Sequence, residues 1–225
     1  MSLTFTFQPT SAVGLKRPAV LLIATLAAFV VYVIFAVATI AKEVETSADL
    51  TPAHLDDLGA SWLGLHLLWV VPPILAAIAV TLLSRGLRGA TRFVPALAAV
   101  TIACAAAYLV VNFLAYGSDN ATWGENPLYP WSYSLSLAAS WFGVLPATLL
   151  ISTALARQGI ARRTAWTVTA LVGVYWVIEV LTYLPVIVGP ETFAEFEGGL
   201  PPFLLGIFWA ILGGGLLGSR VTSQE

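Results

Sequence analysis

The chain has 225 residues, 59% of them hydrophobic and 10% charged, with a mean hydropathy of +0.88 and a formal net charge of −2. Soluble globular domains carry about 25% charged residues. This composition therefore excludes an ordinary soluble domain and implies a polytopic, all-α integral membrane protein forming a single transmembrane domain over residues 1–225.

Six apolar stretches are long enough to cross a hydrocarbon core of about 30 Å. They run over 18–41, 61–83, 93–116, 131–155, 164–188 and 203–218. The first 17 residues lack a charged start, a short apolar core and a small-residue cleavage site. The first span is therefore read as a retained helix. After it, "TPAHLDD" (51–57) reads as a helix start, with Thr51 as cap, Pro52 in the first turn and Asp56 and Asp57 near the positive end of the helix dipole.

The second span places Trp62, His66 and Trp69 at i, i+4 and i+7 on one face. Pro72 and Pro73 then break its hydrogen-bond ladder and free carbonyls near Leu68 and Trp69. A histidine between two indoles suits cation binding, proton relay or a packed interface, and a lone histidine is not a metal signal.

In the third span, Ala99, Ala103 and Ala107 are spaced for close helix packing inside the bundle. Cys104 is the only cysteine and reads as a small packing residue. The span ends in "YLVVNFLAY" (108–116), whose frame returns in the fifth span as "YWVIEVLTY" (175–183). Positions i, i+4 and i+8 drift by only about 40° per step on a helix. Tyr108, Asn112 and Tyr116 thus form one stripe, and Tyr175, Glu179 and Tyr183 another.

Between the third and fourth spans, "NAT" at Asn120 is a glycosylation acceptor only in a eukaryotic cell. The Ala-, Val- and Arg-rich, Lys-poor composition points instead to a bacterial cytoplasmic membrane. Trp123, Tyr129, Trp131 and Tyr133 read as an interfacial aromatic belt. Pro146 and Pro185 are expected to kink the fourth and fifth spans. The sixth carries a small-residue stripe, Gly206, Ala210, Gly214 and Gly218, for packing within the bundle or across an oligomer or complex.

The charges between spans sort by side. With six spans, Lys16, Arg17, Arg85, Arg88, Arg92, Arg157, Arg162, Arg163 and Arg220 fall on one side and only Lys42 on the other. The positive-inside rule then puts both termini in the cytoplasm. Acidic residues gather outside, giving that face a field that favours cations.

"SWLG" (61–64) and "SWFG" (140–143) align the second span with the fourth, and Tyr32, Tyr108 and Tyr175 are each followed at similar distance by Trp62, Trp141 and Trp209. Three parallel-duplicated helical hairpins account for this pattern.

Glu179 is the only acid within a span. A charge at membrane depth costs about 2.5–3.5 kcal/mol on insertion scales, so it is expected to face the bundle interior, with Asn112 or tyrosine hydroxyls as partners and a proton or cation as exchangeable company.

"NPLYPWSY" (126–133), followed by Trp141 and Pro146, resembles the start of the last core helix of the emopamil-binding, sterol-isomerase-like proteins of the EXPERA group. The likeness covers Tyr108 to Pro146. It implies a multi-helix membrane fold with a cavity for a sterol amine or lipid. Ala138 stands where that family carries a catalytic asparagine, and its first-helix His and acid pair has no equivalent, so the catalytic pattern is not matched.

No Walker loop, dinucleotide fingerprint, HExxH, nucleophile elbow or CxxC occurs, no span holds a lysine for a retinal Schiff base, and a single intramembrane histidine does not make a haem pair. No cofactor, metal or nucleic-acid partner is expected, and catalytic residues are unassigned. The expected site is a cavity between the second, third and fifth spans, open to the outer side. Its lining would be His66, Trp62, Trp69, Asn112, Tyr108, Tyr116, Tyr175, Glu179 and Tyr183, and its ligand a small cationic or amphipathic solute. A lipid-modifying enzyme using Glu179 and His66, and a structural or assembly subunit of a membrane complex, are the alternatives.

Overall fold

A computed structural model describes residues 12–39, 50–87, 90–115, 122–188 and 203–219. Every regular element among them is helical. Helix α1 runs over Ala12–Thr39, α2 over Pro52–Leu58, α3 over Ala60–Ser84, α4 over Val94–Ala115, α5 over Tyr129–Ala139, α6 over Leu145–Arg157, α7 over Arg162–Val188 and α8 over Phe203–Gly218. Among the described residues, five segments are long and apolar enough to cross a membrane: Gly14–Thr39, Ala60–Ser84, Thr91–Ala115, Tyr129–Arg157 and Arg162–Tyr183. The apolar α8 has 16 residues, or about 24 Å at 1.5 Å per residue, and falls short of that group.

The long helices form a closed ring. α1 packs on α3 and α8, α3 on α4, α4 on α5, α6 on α7, and α7 on α8. The outward faces carry Val30, Ile34, Val110, Phe113, Val174 and Leu181, all exposed, which is the distribution a bilayer solvates and water does not.

Close helix approach is set by small residues, though not always the expected ones. On α4 the buried positions are Val94, Ala98, Thr101, Ala105, Tyr108, Asn112 and Ala115, alternating spacings of four and three. That 3.5-residue seam follows the packing face, whereas a strict four-residue stripe drifts off it. Ala99 and Ala103 accordingly face outward, against the internal packing expected of them. On α8, a Cβ at Gly206 would meet the Phe29 ring at 2.8 Å and one at Gly213 would meet the Ala19 carbonyl at 2.6 Å, so α8 lies directly on α1. Gly214 and Gly218 look into open space.

The fourth span changes pitch midway. Between α5 and α6, Ser140–Val144 forms a single π-helical turn, in which the Leu145 N–H reaches back to the Ser140 carbonyl. Pro146 supplies no N–H to this part of the ladder. The Thr101 hydroxyl of α4 donates to the Ala139 carbonyl at 3.1 Å, holding the register change against its neighbour. The kink expected at Pro146 thus takes the form of a π turn just before it.

The helix start at Thr51 has the expected cap, with a second contact. His54 N donates to Thr51 Oγ1 at 3.4 Å, and Thr51 N donates to His54 Nδ1 at 3.2 Å. His54 is therefore the return partner of a capping box. The first turn of α2 holds no acid; Asp56 and Asp57 lie in the second turn. Leu50 and Leu55 pack with Trp62 and Ala115, so that α2 seals one end of the α3–α4 pair.

Candidate functional site

The inward faces of α3, α4 and α7 carry most of the expected residues. Trp62, His66, Tyr108, Asn112, Tyr175, Glu179 and Tyr183 are all buried, and Trp69 is half-buried. Tyr116 lies outside the described residues. These side chains do not share one cavity. α7 packs on α6 and α8, while α4 packs on α3 and α5. Ser132 and Tyr133, consecutive on α5 and so about 100° apart around it, serve two separate clusters.

The first cluster joins α3, α4 and α5. The Asn112 amide nitrogen donates to the Tyr108 carbonyl and to Ser132 Oγ, both at 2.8 Å. Ser132 also hydrogen-bonds the Tyr108 phenol, and the Tyr108 hydroxyl lies 2.6 Å from His66 Nδ1. The Trp62 ring stands nearly perpendicular to the His66 ring at 4.3 Å. Asn112, expected beside Glu179, is instead committed to α4 and α5. An amide nitrogen can only donate, so Ser132 Oγ accepts from it. The polarity that uses each hydroxyl proton within the chain runs from Asn112 to Ser132 to Tyr108 to His66 Nδ1. His66 then accepts at Nδ1 and carries its proton on Nε2.

Trp69 turns away from this cluster. Its indole N–H donates to Ser136 Oγ at 3.1 Å, and its ring meets Tyr32 at 5.0 Å and Phe29 at 6.5 Å. Between it and Tyr108 lies an interior cavity of about 40 Å³, also bounded by Cys104, Ser136, Ser140 and Trp209. At roughly 10–15 Å³ for one water this has room for only a few water-sized groups.

The second cluster surrounds Glu179. Tyr175 hydrogen-bonds its carboxyl, and the Tyr133 and Tyr183 hydroxyls hydrogen-bond each other. The Tyr133 and Tyr183 rings are 5.7 Å apart, and the Trp141 ring from the π turn stands 6.1 Å from Tyr183. On the other side the Tyr175 ring meets Phe208 of α8 at 6.2 Å. The acid therefore faces inward, among tyrosine hydroxyls and aromatic rings, as an intramembrane carboxyl must.

Sequence reading missed Ser132, Ser136 and the inward role of Tyr133. Trp131 is 65% exposed and fits an interfacial belt, whereas Tyr133 belongs beside Glu179. The i, i+4 pair Ser132 and Ser136 was the available signal, two serines on one face of a helix that also carries Ser134. Among the described residues no three His, Cys, Asp or Glu side chains gather at metal-holding distance. No family model, curated protein or solved structure matches the chain.

Proposed function

We propose that this is a six-span protein of a bacterial cytoplasmic membrane, with both termini cytoplasmic, that binds or transports a small cationic or amphipathic solute at Glu179. The observation that carries the reading is the burial of the only acid within a span, 6% exposed, beside Tyr175, Tyr183 and Tyr133, with the Trp141 ring packed against Tyr183. One carboxylate among aromatic faces attracts a cation through charge and ring quadrupoles together. Protons and cations compete for that carboxyl, which couples solute binding to protonation of Glu179.

The hairpin duplication is part of this reading and takes the helices in their ring order. Each proposed hairpin, α1 with α3, α4 with α5–α6, and α7 with α8, packs internally and then on the next. The α5 segment that resembles EXPERA proteins supplies Ser132 and Tyr133 to both clusters, which supports a binding role for this part of the fold.

Proteoliposomes containing the purified chain discriminate the classes. Binding or transport predicts a solute taken up or retained chemically unaltered, dependent on Glu179. A lipid-modifying enzyme would return an altered lipid, and an assembly subunit would yield neither effect but a stably co-purifying second chain.

A further inference from the structure

A groove of about 330 Å³ runs along the outward side of the α3–α4 pair, lined by Leu63, His66, Leu67, Leu109, Phe113 and Asn112. Leu67 and Phe113 are 54% and 64% exposed, so the groove opens where the bilayer would lie. Its lining is apolar apart from two side chains. His66, 7% exposed, and Asn112, fully buried, are both among the lining residues, and each holds one buried polar atom that makes no hydrogen bond: Nε2 of the imidazole and Oδ1 of the amide.

The hydrogen-bond chain described above fixes what those two atoms offer. With Nδ1 accepting from Tyr108, His66 Nε2–H is a donor. With both amide protons of Asn112 committed, Oδ1 is an acceptor. A buried donor or acceptor left unmatched costs about 1–3 kcal/mol, more than a neutral hydrogen bond returns, so the pair disfavours a pure hydrocarbon in the groove. A hydroxyl group answers both needs, accepting from one and donating to the other. A charged headgroup does not, because nothing among the lining residues carries a countercharge.

We propose that the α3–α4 groove is a lateral binding site for a neutral, single-chain amphiphile, its hydroxyl headgroup seated on His66 and Asn112 and its hydrocarbon chain along Leu63, Leu67, Leu109 and Phe113. This site is separate from the Glu179 cluster, which faces α5 and α8 from α7, and it takes a neutral ligand from the membrane plane. The Tyr108–Ser132 link holds both headgroup partners in one rigid network, so binding reads out on α5 as well.

The test uses dodecan-1-ol carrying a diazirine in its chain, beside the matching diazirine dodecane, on the full-length protein in lipid nanodiscs. Cross-links are mapped by peptide mass spectrometry. The proposal expects the alcohol to label the Leu63–Leu67 and Leu109–Phe113 peptides about tenfold more than the hydrocarbon. His66→Phe and Asn112→Leu are each expected to lower that labelling about five- to tenfold. Leu67→Trp fills the groove from its exposed wall without touching the network, and is expected to abolish labelling while thermal stability stays at the wild-type value. Equal labelling by alcohol and hydrocarbon, labelling that maps to other helices, or undiminished labelling of Leu67→Trp would each overturn the assignment. Failure here leaves the Glu179 reading standing, since Glu179→Gln does not touch this groove.

Discussion

Gly143→Ala probes the contact that holds the π turn against α4. A Cβ there falls 2.1 Å from Thr101 Oγ1, 3.0 Å from Thr101 N and 3.2 Å from the Leu97 carbonyl, against 3.4–4 Å for ordinary contact. Two of these atoms are backbone, so rotation of Thr101 alone cannot make room and the helices must separate. Overpacking of this kind costs about 1–3 kcal/mol. Displacing Thr101 also sacrifices its 3.1 Å hydrogen bond to the Ala139 carbonyl, worth about 1 kcal/mol. Glycine-to-alanine replacement in a helix returns about 0.5–1 kcal/mol, which leaves a net loss of about 1–3.5 kcal/mol. Gly214→Ala, with nothing within 4 Å of its Cβ, is the internal control and is expected to be neutral or slightly stabilising. Equilibrium unfolding in mixed micelles measures both. Thr101→Ala in the Gly143→Ala background removes the worst contact and is expected to recover about 1 kcal/mol. A Gly143→Ala protein as stable as Gly214→Ala would refute the close α4–π-turn packing.

Several further changes separate the elements of the structure. Trp209→Phe removes the indole donor that reaches Thr148 Oγ1 at 3.0 Å, and a loss of about 1 kcal/mol is expected in the same unfolding assay. Thr51→Ala breaks the capping box of α2 and is expected to cost about 0.5–2 kcal/mol, read as faster proteolysis near residues 50–58 with little change in the transmembrane core. Asn112→Ala leaves Ser132 without its amide donor inside the bundle, with an expected destabilisation of about 1–2 kcal/mol; a neutral result would argue against the α4–α5 bridge. Fusion reporters at Ser47, Gly89, Gly124 and Gly159 are expected to read outside, inside, outside and inside, and an outside signal at Gly89 or Gly159 would sink the six-span topology.

Helix positions were legible because hydrocarbon demands long unbroken apolar stretches, and the expected range 203–218 coincides with α8. The inward orientation of Glu179 was legible for the same reason, since an acid in a span has nowhere else to go. Helix neighbours were not. With α3, α4 and α7 apolar nearly all round, periodicity does not say which faces meet, and the expected cavity of α3, α4 and α7 divides because α5 contacts α4 through Ser132 and meets Tyr183 through Tyr133. The seam of α4 was readable as alternating spacings of three and four through Thr101, Ala105, Tyr108 and Asn112; the more conspicuous alanines at 99 and 103 obscured it. The π turn left only Gly143 and Pro146 as marks, and neither by itself distinguishes a bulge from a kink.

The central claim is that Glu179 holds a cationic solute, and the direct measurement is mass spectrometry of small molecules retained from native membranes by wild type and by Glu179→Gln. Glutamine keeps the volume and an acceptor for Tyr175 while removing the charge. Loss of the carboxylate's charge removes a charge-assisted contact worth about 1.5–3 kcal/mol while the aromatic rings stay in place, so retention of a bound cation is expected to fall at least about tenfold with unfolding behaviour intact. A Glu179→Gln protein that retains every molecule the wild type retains would contradict the account and leave Tyr175, Glu179 and Tyr183 as a helix-locking cluster.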